Sequence, residues 1–157
     1  RIKMLAMNLL RAVQQVGEWQ FEQGFHIGHA PALRRSSLFG KANEFGILKA
    51  NEWSTEFHAS VDFRHSDLVI QKQRVSAFYD TALATLLRNM GVSHVFITGV
   101  ATDLAVEAAA RDAHDRDFSV TVIADACAAA TEQDHARSLL FLPKIGSVMT
   151  VDELQLP

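Results

Sequence analysis

VFITGVATDLAVEAAARDAHD, residues 95–115, is the stretch on which the fold turns. Val95, Phe96, Ile97 and Thr98, with Val100 beyond, form a short apolar, β-branched run of the kind found in strands buried on both faces. Gly99 interrupts it. From Thr102 onward the residues are strong helix formers, and Thr102 or Asp103 is placed to cap the first turn. A strand that passes abruptly into a helix aims several backbone N–H groups, and the positive end of the helix dipole, at one point. Such a point can hold an oxyanion, a carboxylate or a developing tetrahedral oxygen. The same pattern also fits an ordinary connection in a parallel sheet.

Working outward, strand and helix patterns alternate. Asp67-Leu-Val-Ile-Gln-Lys72 reads as a second buried strand, followed by Ser76, Ala77 and Phe78. Phe78 to Met90 places Ala82, Leu83, Leu86, Leu87 and Met90 on one helical side, with Gly91 as the stop. After the alanine-rich helix, Ser119 to Ala124 reads as a strand. Thr131-Glu-Gln-Asp134 opens a helix holding Leu139, Leu140 and Leu142, and Gly146 to Val151 closes the chain as a strand. Phe25-His-Ile27 is a short strand between glycines. Arg1 to Val16 has the apolar spacing of an amphipathic helix ended by Gly17. Five strands alternating with helices predict an α/β fold whose parallel sheet is covered on both faces. Ligands of such sheets bind at the carboxyl ends of the strands.

A length of 157 residues suits one domain with a sizeable core. A net charge of −3 with dispersed basic residues gives no reason to expect nucleic acid or an anionic membrane surface. No apolar run approaches the roughly 20 residues that span a bilayer. One cysteine excludes an internal disulfide and fits a reducing, cytoplasmic setting.

Ala30 to Ser66 is long for a connection between strands. It holds a basic bend (Arg34 to Ser37), a helix-like piece (Phe39 to Ala50) and the aromatic segment Trp53 to His58. Excursions of this length act as covers over a site or as subunit contacts. Trp53 and Phe57 suit either role. The apolar content of Leu38 to Phe57 predicts a homo-oligomer, dimer or tetramer, with this segment at or near its interface. His26 and His29 lack the further partners that a zinc site requires, so no metal and no cofactor is expected, with His29 a candidate pocket wall.

Two motifs together resemble the isochorismatase-like hydrolases, also called the cysteine hydrolase superfamily. The strand ending in Lys72 with Ser76-Ala-Phe78 after it is similar to the family's catalytic-lysine strand. Gly99-Val-Ala-Thr-Asp-Leu-Ala-Val-Glu-Ala-Ala-Ala-Arg-Asp-Ala113 is similar to its nucleophile motif, 33 residues separating Lys72 from Ala105. Asp125-Ala-Cys-Ala128 and Val148 to Leu154 extend the likeness over nearly the whole chain. The resemblance implies a three-layer Rossmann-like sandwich and a small-molecule substrate at the carboxyl edge. It assigns a catalytic role to Lys72 and an oxyanion hole to the N–H groups of Ala101 and Ala105. A cis peptide at Val100–Ala101 is implied as well; Phe78, Thr102 and Trp53 join His29 as candidate pocket residues.

Two positions depart from the pattern. Ala105 stands where the family carries its nucleophilic cysteine. The family's catalytic aspartate ends a first strand, and the helical reading of Arg1 to Val16 leaves that strand outside residues 1–157, which then form a single domain without it. Three functions are compatible with this: an amide or other C–N hydrolase scaffold with alanine at the nucleophile position, an isochorismatase-type vinyl-ether hydrolase that needs no cysteine, or a binding or assembly protein on the same fold. Lys72 and Ala105 are expected to face one cleft from neighbouring strands. Cys127 is expected to be buried and inert. His114 and His135 are expected in helices away from the carboxyl edge.

Overall fold

The computed structural model describes the backbone of residues 2–7 and 24–29, and residues 38 and 67–154 in full. Among these, six strands make one parallel sheet: β1 (Ile2–Met7), β2 (Gly24–His29), β3 (Leu68–Lys72), β4 (His94–Val100), β5 (Ser119–Ala128) and β6 (Ser147–Met149). Their order is β3-β2-β1-β4-β5-β6, and each neighbouring pair is parallel. The helices are α1 (Leu83–Asn89), α2 (Glu107–His114) and α3 (Glu132–Phe141). The α/β architecture expected from the alternating patterns is the one observed. No described helix is long and apolar enough to cross a membrane.

β1 corrects the sequence reading. Ile2 to Met7, spaced as part of a helix, is a strand with β2 on one side and β4 on the other. A run of Ile, Lys, Met, Leu, Ala and Met satisfies either template over so few residues, and pairing on both edges overrides helix preference. The rest of that expected helix lies outside the described residues. So do Phe39 to Ala50, Trp53 and the Trp53 to His58 segment; of the Leu38 to Phe57 excursion only Leu38 is described, a turn residue 46% exposed.

β4 is buried along its centre, as its unbroken apolar run requires. Val95 and Ile97 join Ile70, Val120 and Val122 on one sheet face, against Leu83 and Leu87 of α1 and Ala109, Ala110 and Ala113 of α2. The three alanines are fully buried, so α2 lies close on the sheet. On the opposite face Phe96, Ile123 and Ala126 pack with Leu154.

α1 starts later than the expected Phe78. Ser76 Oγ accepts the Phe78 N–H at 3.1 Å, while Thr81 Oγ1 accepts from Leu83 N and donates to the Ala77 carbonyl at 2.6 Å. These local bonds hold residues 76–82 in turns instead of helix. Gly91 ends the helix with φ +69°, as expected of a C-terminal glycine. β5 is longer than expected because it contains a bulge. Ile97 pairs with Val122, but Gly99 pairs with Cys127, so six residues of β5 span three of β4.

β6 is shorter than the Gly146 to Val151 run suggested, and Gly146 before it approaches β5 closely. A Cβ there would stand 2.6 Å from the Val120 carbonyl oxygen. Gly146→Ala should therefore force the two strands apart and cost about 1–3 kcal/mol, measured as a lower urea midpoint with an unchanged slope.

Candidate active site

The register fixes levels across the sheet. Ile70, Ile27, Met7, Gly99 and Cys127 stand side by side on β3, β2, β1, β4 and β5. Two residues further on, Lys72 pairs with His29 at the carboxyl ends of β3 and β2. Ala101 leaves β4 at the same level. The strands are not neighbours, contrary to the sequence expectation: β2 and β1 lie between β3 and β4. Three strand spacings put their axes about 14 Å apart. What the two share is the carboxyl edge and one face of the sheet, since Lys72 follows Ile70 by two residues and Ala105 packs in Ile70's core cluster.

Lys72 is 1% exposed, and its Nζ donates to the carbonyls of Arg74 at 2.9 Å and Val75 at 3.1 Å. Burial lowers its pKa from 10.5 to about 8, so the ammonium still predominates at neutral pH.

The turn after β4 is unusual. The Val100–Ala101 peptide is cis, as the resemblance implies, and Gly99 before it has φ +118°, a conformation open to glycine. Residues Thr102–Val106 then form a π-helical turn before α2 begins. The Ala101 carbonyl accepts from Leu104 N at 3.1 Å and Val106 N at 3.2 Å. π-turns recur at functional sites. Neither Thr102 nor Asp103 caps this turn; the cap position is Ala101, in extended conformation, without a side-chain bond. Asp103 Oδ1 is buried and has no hydrogen-bond partner among the described residues. Ala105 is 7% exposed within the turn.

Thr102 instead bonds across to α3, its Oγ1 lying 2.8 Å from His135 Nδ1. This corrects the expectation for His135, which touches the carboxyl-edge turn. Only the Thr131-to-Asp134 cap, which sets the phase of α3, hinted at it: Thr131 Oγ1 accepts the Asp134 N–H at 3.1 Å. Nothing in one sequence links positions 33 apart. His114 is exposed, as expected.

Val100, Ala101, Thr102 and Ala105 thus belong to one turn, with Lys72 on the same level. Phe78 lies elsewhere, buried in the core with its ring centroid 6.0 Å from that of Phe118, which precedes the amino end of β5. The backbone of His29 is beside Lys72. Cys127 is buried beside Gly99, and burial pushes its thiol up to about 12, the state of an inert structural cysteine.

The isochorismatase domain model matches residues 9–153. The chain belongs to the isochorismatase family. It is 33% identical over 109 residues to YecD, an uncharacterized isochorismatase family protein of Escherichia coli O157:H7, covering 69% of this chain and 57% of that protein. It is 32% identical over 108 residues to the ureidoacrylate amidohydrolase RutB of Serratia proteamaculans, covering 69% of this chain and 42% of RutB. The chain therefore spans about half the length of these relatives. An isochorismatase-like hydrolase from Alkaliphilus metalliredigens shares the fold with a TM-score of 0.82 at 22% identity, over 98% of this chain and 96% of that one.

Proposed function

We propose that this isochorismatase-family chain is a small-molecule amide or C–N hydrolase scaffold whose nucleophile position is occupied by Ala105. The observation that carries the reading is the buried Lys72 ammonium, on the same level and sheet face as the Val100–Ala101 turn. In this reading the N–H groups of Ala101 and Ala105 receive the substrate carbonyl oxygen, and Lys72 supplies positive charge. A thiol at position 105 would complete nucleophilic attack, and alanine leaves the scaffold with binding alone. The relationship to RutB makes an acyclic ureido compound the first substrate to try. The test is Ala105→Cys: a reactive thiol together with new hydrolysis of a ureido substrate supports the reading, and a thiol as inert as Cys127 sinks it.

A second reading, a binding or assembly protein without turnover, is favoured by β1. Its six residues, Ile2–Met7, include no carboxylate to act as base. Binding of a ureido compound by calorimetry, with no turnover in either form, is the outcome that reading expects. Turnover of a vinyl ether by the unaltered chain would replace both readings. We further propose a homo-oligomer near the exposed Leu38, which light scattering at micromolar concentration tests; a monomer would reject it.

A further inference from the structure

α3 touches the π-turn and α2 along a single stripe. His135 meets Thr102 at 2.8 Å, Ser138 Oγ donates to Glu107 Oε2 at 2.7 Å, and the Phe141 ring lies 3.5 Å below the Arg111 guanidinium carbon. On α3 these contacts recur every three residues, a spacing that keeps side chains on one face. On the other side they fall at 102, 107 and 111. The five-residue step from Thr102 to Glu107 is the step of the π-turn, in which the Glu107 N–H reaches the Thr102 carbonyl. A regular helix would bring residue 106 below Thr102, out of line with Ser138. The lower rung is braced again within α2, where Arg111 donates to Glu107 Oε1 at 2.8 Å.

We infer that His135 is a positioning residue: through Thr102 it holds the Val100 to Ala105 turn in its π-helical register, while the Ser138–Glu107 bond joins α3 to α2 below the turn and serves the stability of the fold. A hydroxyl 2.8 Å from an imidazole is also the arrangement of a nucleophile and its base. That role is closed here because Thr102 is 0% exposed, leaving no path for a substrate carbonyl. The bond therefore acts on the backbone that Thr102 begins, in the direction of Ala105. The inference deepens the reading of this turn as the acyl-transfer site and rests on it for its catalytic meaning.

The experiment uses the chain carrying Ala105→Cys, with the pH–rate profile of iodoacetamide alkylation as the readout. His135→Ala and Thr102→Val should each raise the midpoint of the profile by about one unit, which lowers the rate at pH 7 about threefold once the higher nucleophilicity of the more basic thiolate is included. The double variant should lose no more than either single one, because both remove the same bond. His135→Asn, whose amide can reach Thr102, should recover at least half of the loss. Ser138→Ala should lower Tm while leaving the alkylation rate within twofold. His135→Ala within twofold of its parent across the profile, or losses that multiply in the double variant, would overturn the inference. If the installed thiol is inert from the start, the acyl-transfer reading fails, and hydrogen exchange in the otherwise unaltered chain decides the positioning role. The Leu104 and Val106 amides, both bonded to the Ala101 carbonyl, should exchange at least tenfold faster in His135→Ala and remain unchanged in Ser138→Ala. Equal exchange in all three chains overturns it.

Discussion

With Ala105→Cys, iodoacetamide at pH 7 should modify position 105 about a hundredfold faster than Cys127. The two positions are matched in access, each 7% exposed, so the difference comes from charge. At Cys127 burial holds the thiol near 12, which leaves on the order of one thiolate in 100,000 at pH 7. At position 105 the first turn of a helix favours the anion, so the new thiol should fall below the ~8.5 of free cysteine. At that bound its thiolate fraction is already about three thousand times larger. The less basic thiolate is intrinsically the weaker nucleophile, by about 1.6 log units over this span for a Brønsted slope near 0.45. The first factor wins, and a ratio of about one hundred remains. Mass spectrometry of tryptic peptides after timed quenching reads both sites in one sample. Equal rates would mean that the turn does not favour an anion.

The same turn shows what a sequence can and cannot disclose. Val95 to Val100 announces a buried strand because its apolar residues fill both faces, and the parallel sheet follows from the alternation of such runs with helices. The place of the site at the carboxyl edge follows from that topology. Lys72 could be assigned to a strand end, but its distance from Ala105 could not, because strand order is set by pairing between segments far apart in the chain. β1 was misread for a related reason: six residues of mixed apolar character fit both periods, and only the β2 and β4 edges choose between them. The short α1 reflects hydroxyl bonds of Ser76 and Thr81 that compete locally with helix. His135 was missed because its importance lies in one bond to Thr102. The π-turn that sets the register of that contact leaves no trace in hydrophobic spacing.

Raising the pH from 7 to 10.5 should stabilise this chain, relative to its Lys72→Met variant, by about 3 kcal/mol. The sign follows from the depressed pKa of Lys72, about 8 when folded against 10.5 when unfolded. Below pH 8 both states hold the proton, and the folded state carries the full penalty of a buried ammonium. Between pH 8 and 10.5 the unfolded chain binds a proton that the folded one has released, so stability rises with pH across that window. Above 10.5 both forms are neutral and the rise stops. A shift of 10.5 to about 8 corresponds to about 3 kcal/mol at 1.36 kcal/mol per unit. With the side chain 1% exposed, solvent screening takes little from it. Methionine fills a similar volume without a charge. It leaves the Arg74 and Val75 carbonyls without their Nζ donor, which costs the variant a constant amount at every pH. The other titrating groups are common to both chains and cancel in the difference. Urea titrations at pH 7, 8, 9 and 10.5 give the two curves, and their separation should change by about 3 kcal/mol toward the native chain. Parallel curves would mean that Lys72 keeps an ordinary pKa. Through the neutral range the buried ammonium weakens the fold, and its charge stands level with the Val100–Ala101 turn.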